Sequence, residues 1–162
     1  IEPRKDVRGL VRAAGRAGLP LVVLGDAPPG CGGYLQECRK AATGPGVRWL
    51  GSVSHDDPLL ASAYAAARVV AVASWFETPG LAALEGALAG RAVVVTPYGC
   101  TREYFGEMAV YARPGRPDEL ALALARAWRE GPDPRLAGHV AGRFLWSHVA
   151  RQTAEVYDRL TG

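Results

Sequence analysis

Five short runs of continuous apolar residues, with helical patterns between them, constrain this 162-residue chain more than any other feature. Leu21 to Gly25, Val47 to Gly51, Val69 to Ala73, Ala92 to Thr96 and Ala109 to Ala112 read as strands. Most are apolar throughout and do not alternate, as strands covered on both faces require. Helices are expected near 6–17, 33–43, 57–67, 80–90 and 100–105, and after the last strand near 117–130, 133–143 and 146–160. Strand–helix alternation of this kind builds right-handed βαβ units. The expected fold is therefore α/β, a doubly wound parallel sheet with extra C-terminal helices.

The length suits one domain over residues 1–162, with Arg113-Pro114-Gly115-Arg116-Pro117 and Gly131-Pro132-Asp133-Pro134 read as turns inside it. One part of the series is missing. The chain opens on Pro3-Arg4-Lys5-Asp6 and enters a helix with no strand before it, whereas the first strand of a doubly wound sheet is normally central. Five strands without that one leave two exposed inner edges, which favours self-association unless an upstream strand or another segment fills the gap.

Hydrophobic residues make up 49% of the chain and charged residues 22%, a soluble globular balance. A net charge of +3 is too small to argue for nucleic acid as a partner. The three cysteines, Cys31, Cys38 and Cys100, have no C-x-x-C spacing, so neither a zinc site nor a disulfide framework is expected, and a reducing cytoplasm fits. No apolar run reaches the roughly 18 residues of a membrane span.

The chemistry concentrates in Trp75-Phe76-Glu77-Thr78-Pro79-Gly80-Leu81-Ala82-Ala83-Leu84-Glu85-Gly86-Ala87-Leu88-Ala89-Gly90. Glu77 falls in the loop at a strand's C-terminal end, and Glu85 about a turn and a half into the next helix. Thr78 and Pro79 read as N-cap and first helical residue. The helix N-terminus between the two carboxylates offers free N–H groups to an anion, with Thr78, Gly80 and Leu81 as candidate donors because Pro79 has none. Carboxylates flanking an anion site suit a ligand with both hydroxyls and phosphates, such as a nucleotide sugar. On an ordinary surface helix the same two glutamates are merely solvated.

Other strand ends add candidates, since ligands of open α/β sheets lie there. Gly25 allows close approach, while Asp26 beside it reads as a turn residue. The Gly51 to Asp57 loop, with Ser52 and Val53, can edge a planar base, although Asp56 or Asp57 also caps the helix beginning at Pro58. His55 reads as a solvated loop residue. Gly99-Cys100-Thr101-Arg102-Glu103 combines a close-approach glycine with Arg102 as a possible phosphate partner. Lys5, with Arg4, opens the first helix and can neutralise a diphosphate. The chain has no G-x-G-x-x-G after a strand, no P-loop, no G-x-S-x-G elbow and no D-x-D or histidine cluster for a metal.

Taken in order, these segments resemble the C-terminal, donor-binding domain of retaining GT-B glycosyltransferases, group 1 (glycosyltransferase family 4). The family's E-x7-E motif is similar to Glu77 through Gly90, and its P-R-K-G/N segment to Pro3-Arg4-Lys5-Asp6-Val7. Leu24-Gly25-Asp26 and Val47 to Gly51 match its strand ends, Gly99 to Glu103 resembles its G-G-x-x-E segment, and Phe144-Leu145-Trp146 with Val149 and Tyr157 resembles its closing helix. The resemblance covers essentially the whole chain.

It implies a Rossmann-like half of a GT-B fold whose acceptor-binding N-terminal domain, first strand and phosphate-binding arginine lie outside this sequence. By it, Lys5 contacts the donor diphosphate, Glu77 holds donor-sugar hydroxyls, Glu85 holds the ribose, and the Gly51 to Asp57 loop faces the base. The implied reaction is metal-independent retaining transfer of a hexose, with a hint of mannose, from a nucleoside-diphosphate sugar to an acceptor hydroxyl. No cofactor is implied, GDP and UDP are the leading donor nucleotides, and the acceptor is a glycan, a lipid or a small molecule. Location is expected to be cytoplasmic, including a peripheral position at the inner membrane face. The alternatives are a GT-B nucleotide-sugar epimerase, or a non-catalytic interaction module that retains the fold.

Overall fold

The computed structural model describes residues 1–42 and 46–161. Its strands are β1 (Leu21–Leu24), β2 (Val47–Gly51), β3 (Val69–Val72), β4 (Ala92–Val95) and β5 (Val110–Tyr111), each within a residue of its expected position. The helices are α1 (Val7–Ala17), α2 (Gly32–Lys40), α3 (Pro58–Ala66), α4 (Leu81–Leu88), α5 (Thr101–Phe105), α6 (Pro117–Glu130), α7 (Leu136–Arg143) and α8 (Trp146–Thr161). Residue 43, the last of the second expected helix, lies outside the described residues.

All pairings among the described strands are parallel, but they form two sheets: β2 beside β1, and β3-β4-β5. Among the described residues, the inner edges of β1 and β3 face no strand. Half of Val22 on β1 is accordingly exposed, whereas β4, paired on both sides, is buried along its whole length.

Alternate residues of β4 explain why its apolar run is continuous. Ala92 and Val94 pack with Ala13 and Ala14 of α1 and with Leu120, Leu124 and Ala127 of α6. Val93 and Val95 pack on the opposite side with Leu84 and Ala87 of α4, Phe105 of α5, and Leu136 and Val140 of α7. Both faces of the strand are thus covered by helices, the doubly wound arrangement. The last helix, α8, departs from this layer: Trp146 is 79% and Leu160 78% exposed.

Three expected helix starts move: α7 begins at Leu136 and not near 133, where Asp133 instead accepts from Arg135 N at 2.9 Å, and the other two bear on the site. The first helix does not open at Asp6. Pro3–Lys5 forms a 3₁₀ turn, and Asp6 stands at φ 44 before α1 begins at Val7. Asp6 is the only described non-glycine residue at positive φ, in a region that glycine and asparagine tolerate best. Its carboxylate offsets the cost by accepting from Gly9 N at 3.2 Å, as the α1 cap, and from Gly115 N at 2.7 Å. Lys5 therefore lies in a 3₁₀ turn braced from two sides, and not in α1.

Thr78 and Pro79 likewise do not cap and start α4. Gly80, at φ 66, is the N-cap and Leu81 the first helical residue. Pro79 disfavours a helical Thr78, and Glu77 is held extended by pairing with the Tyr98–Cys100 segment, so the reversal waits for the glycine.

α4 lies close on β3. A Cβ added at Gly86 would stand 2.7 Å from both Cβ and Cγ2 of Val70, a β-branched side chain with little freedom to move. Gly86→Ala is expected to destabilise the chain by about 2 kcal/mol, read as a lower urea midpoint with an unchanged slope.

Candidate functional site

The residues of interest gather at the carboxyl ends of the parallel strands. Glu77, five residues beyond β3, is only 7% exposed. A buried carboxylate needs partners, and it has two on one oxygen. Lys5 Nζ lies 2.5 Å from Oε1, and Ser74 Oγ donates to the same oxygen at 2.6 Å. The second oxygen, Oε2, has no partner among the described residues and is not sealed from solvent. Glu77 therefore presents one fixed, free acceptor.

The backbone fixes it as firmly. Glu77 N donates to Tyr98 O at 3.2 Å, and Cys100 N donates to Glu77 O at 3.0 Å, a parallel bridge to Gly99. A Cβ on Gly99 would stand 1.9 Å from Glu77 O, at a φ of +93. The glycine read as a close-approach residue thus meets the carboxylate's own backbone.

Gly80 is next to this cluster, its nearest neighbours including Cβ and Cγ of Glu77. The N–H groups of Gly80, Leu81 and Ala82 carry no hydrogen bond among the described residues, while Ala83 and Leu84 donate back to Gly80 O. The unpaired N–H groups of this helix start are therefore those of Gly80, Leu81 and Ala82, and the N–H of Thr78 before them likewise has no hydrogen bond among the described residues. Thr78 lies exposed in the preceding loop.

Lys5 reaches Glu77 because residues 1–5 cross the mouth of the gap between the two sheets. The Ile1 amine donates to Asp26 O beyond β1, and Arg4 O accepts from Trp75 N beyond β3 at 2.9 Å. Gly115, held by Asp6, packs beneath the Trp75 ring and completes the brace.

Glu85 lies half-buried on α4, where Tyr64 Oη of α3 donates to its Oε2 at 2.6 Å. Burial, and then the hydrogen bond to Glu85, push the Tyr64 phenol far above its ordinary value, so the hydroxyl keeps its proton and remains a donor. Oε1 of Glu85 has no partner among the described residues.

Gly25 closes β1, its N donating to Gly51 O at 2.7 Å, and Ser52 and Val53 continue from β2 at the same end of the fold. Ser52 is exposed and Val53 half-buried. Asp57 caps α3 through Leu59 N at 2.8 Å, and Asp26 binds the neighbouring Ala27 N, the local roles expected of them. Arg102 is not brought to the cluster. Its guanidinium pairs with Glu107 at 2.8 Å and covers the Tyr111 ring at 4.3 Å.

Two side chains of the site escape sequence reasoning. Ser74 belongs to no motif, although its spacing three residues before Glu77 at a strand end is the legible signal. Tyr64 belongs to no motif, yet it is the one aromatic in the otherwise small and aliphatic α3. Among the described residues, no group of three or more His, Cys, Asp or Glu side chains converges as a metal site, and no helix is long and apolar enough to cross a membrane.

Comparison with known proteins agrees with this arrangement. Residues 3–130 match the family described as glycosyl transferases group 1. The O-antigen chain mannosyltransferase B of Escherichia coli is 30% identical over 173 aligned positions, covering 99% of this chain and 44% of that protein. The crystal structure of Anabaena HepE with UDP and glucose superposes with a TM-score of 0.82 at 22% identity, over 98% of this chain and 46% of the other. The C-terminal domain of a group 1 glycosyl transferase, LpcC of Francisella tularensis, gives 0.69 at 24% identity, over 87% and 76%. The fold is thus that of the C-terminal part of GT-B glycosyltransferases, and the chain belongs to the group 1 family. It spans less than half the length of the mannosyltransferase and of HepE.

The ion pair has a measurable consequence. Lys5→Met leaves the Glu77 carboxylate with Ser74 alone. It is expected to cost about 2 kcal/mol in chemical denaturation, less than for a fully buried pair because the Lys5 side chain is 37% exposed. Adding Glu77→Gln should recover roughly half of that loss, because the uncompensated charge goes with it.

Proposed function

We propose that this chain is the donor-binding part of a retaining glycosyltransferase that moves a hexose from a nucleoside-diphosphate sugar to an acceptor hydroxyl. The observation that carries the reading is the juxtaposition of Lys5, the half-engaged Glu77 carboxylate and the unpaired N–H groups at the start of α4. The cationic group and the N–H donors suit a diphosphate, and the free carboxylate oxygen suits a sugar hydroxyl.

In this reading Lys5, whose ammonium has three donors, keeps one on Glu77 and gives the others to the diphosphate. The N–H groups of Gly80, Leu81 and Ala82 share that charge. As the glycosidic bond breaks, negative charge grows on the departing diphosphate, and these fixed donors stabilise it without reorganising. Glu77 Oε2 orients the sugar through a hydroxyl, Glu85 Oε1 accepts from the ribose, and the Ser52–Val53 backbone edges the base. Gly25 leaves room at the end of β1. The acceptor attacks the anomeric carbon from the face the diphosphate leaves, and its proton passes to the departing phosphate oxygen.

Arg102 acts on the donor only if it leaves Glu107 and Tyr111. The relationship to the E. coli mannosyltransferase, a protein named for mannosyl transfer, supports mannose as the first sugar to test. HepE, crystallised with UDP, supports UDP as the first nucleotide. The acceptor, be it glycan, lipid or small molecule, is assigned to the length that the relatives carry beyond this match. Action at the cytoplasmic side, where nucleotide sugars are held, completes the reading.

Calorimetric titration of UDP, GDP and ADP into the chain tests the donor site. One diphosphate is expected to bind, and Glu85→Ala is expected to weaken it about tenfold. Binding of none, or equal binding by the variant, would remove the basis of the proposal. Incubated with nucleotide sugar and a candidate acceptor, the chain alone is expected to release no nucleotide, and turnover by these residues would contradict the division of labour proposed here.

A further inference from the structure

Both carboxylates of the site have one oxygen that accepts from a hydroxyl and one that is left open, Glu77 taking the Lys5 ammonium on its occupied oxygen as well. For Glu77 the hydroxyl is Ser74 Oγ, three residues away on the same segment. For Glu85 it is Tyr64, which comes from a different helix, α3, across a 2.6 Å hydrogen bond. We infer that Tyr64 is a positioning residue of the nucleotide site: its hydroxyl selects the rotamer of Glu85 and leaves Oε1 as the single acceptor for the ribose hydroxyls. The inference rests on the donor-site reading above and adds to it a residue that touches no ligand.

The chemistry is specific to the hydroxyl. Glu85 is half-buried on a helix with no cation within ion-pair distance among the described residues, so the Tyr64 hydroxyl is the polar contact that holds its carboxylate. A free glutamate side chain spreads over several rotamers, and fixing it before the ligand arrives removes an ordering cost from binding. Tyr64 is itself held by burial, and its proton stays in place because burial and the neighbouring carboxylate both disfavour the phenolate. A hydroxyl that remains a donor keeps the same Glu85 oxygen occupied and the other available. α3 begins at Pro58, directly after the loop assigned to the base, so a ligand that moves that loop also bears on this contact.

The test separates positioning from packing. Tyr64→Phe keeps the ring and removes the hydroxyl. Affinity for the preferred nucleoside diphosphate among UDP, GDP and ADP, and for its 2′,3′-dideoxy form, is measured calorimetrically in four proteins: wild type, Tyr64→Phe, Glu85→Ala and the double variant. The expected result is about a fivefold loss for Tyr64→Phe with the ribonucleotide. The loss should be much smaller with the dideoxynucleotide, and absent when Glu85 is already alanine. An equal loss with and without the Glu85→Ala substitution, or an equal loss for the two nucleotides, makes Tyr64 a packing residue and overturns the inference. Unchanged binding by Tyr64→Phe overturns it also. A wild-type chain that binds none of the nucleotides, or binds the dideoxy form as tightly, sinks the donor-site reading and this inference with it. Retained discrimination in Tyr64→Phe sinks the inference alone.

Discussion

The ion pair between Lys5 and Glu77 joins parts of the chain that are 72 residues apart, and the geometry of the site depends on it. A carboxylate that is 7% exposed has lost most of its water, and a single surface cation would replace that hydration poorly. Here the replacement comes from Lys5, from the fully buried Ser74, and from a backbone clamped to the loop after β4. A buried pair of this kind contributes little net stability compared with an apolar alternative. Its effect is to make one arrangement of the N-terminal turn, the β3 loop and the β4 loop much better than any other. That arrangement leaves one carboxylate oxygen of Glu77 without a partner next to the unpaired N–H groups that begin α4.

The brace behind Lys5 follows the same logic. Asp6 occupies a left-handed conformation that costs energy for any residue with a Cβ, and its carboxylate caps α1 and binds Gly115. Gly115 in turn leaves space for the Trp75 ring, and Trp75 N returns a hydrogen bond to Arg4. The circuit closes on the turn that carries Lys5. It lies across the gap between β1 and β3, so the place where the sheet is interrupted is also the place where the site is assembled. The topological switch point of an open α/β sheet is where such sites form.

Much of the fold was legible because burial on both faces leaves a simple record. The runs at Val69 and Ala92 are apolar at every position, since alternate residues of β4 meet α1 and α6 on one side and α4, α5 and α7 on the other. Helix starts were less readable. Thr78-Pro79 carries ordinary N-terminal signals, yet the pairing of Glu77 with Gly99 holds Glu77 in a bridge, the chain bends at Thr78 and Pro79, and the helix starts only after Gly80. Local propensity lost to a tertiary contact that no window of sequence contains. Arg102 shows the reverse, a residue suited to phosphate whose nearest partners, Glu107 and Tyr111, lie within nine positions.

The sequence by itself determined the α/β class, the order of elements, the carboxylates at Glu77 and Glu85, and the glycines on which close approach depends. These follow from local rules: apolar runs, helical periodicity, and the φ values or clearances that only glycine allows. Tertiary structure alone decided that Lys5 meets Glu77, that Ser74 and Tyr64 each occupy one carboxylate oxygen, and that Gly80 begins the helix. Each depends on a distance between segments that local rules do not set, and such distances are fixed only once both faces of the sheet are packed.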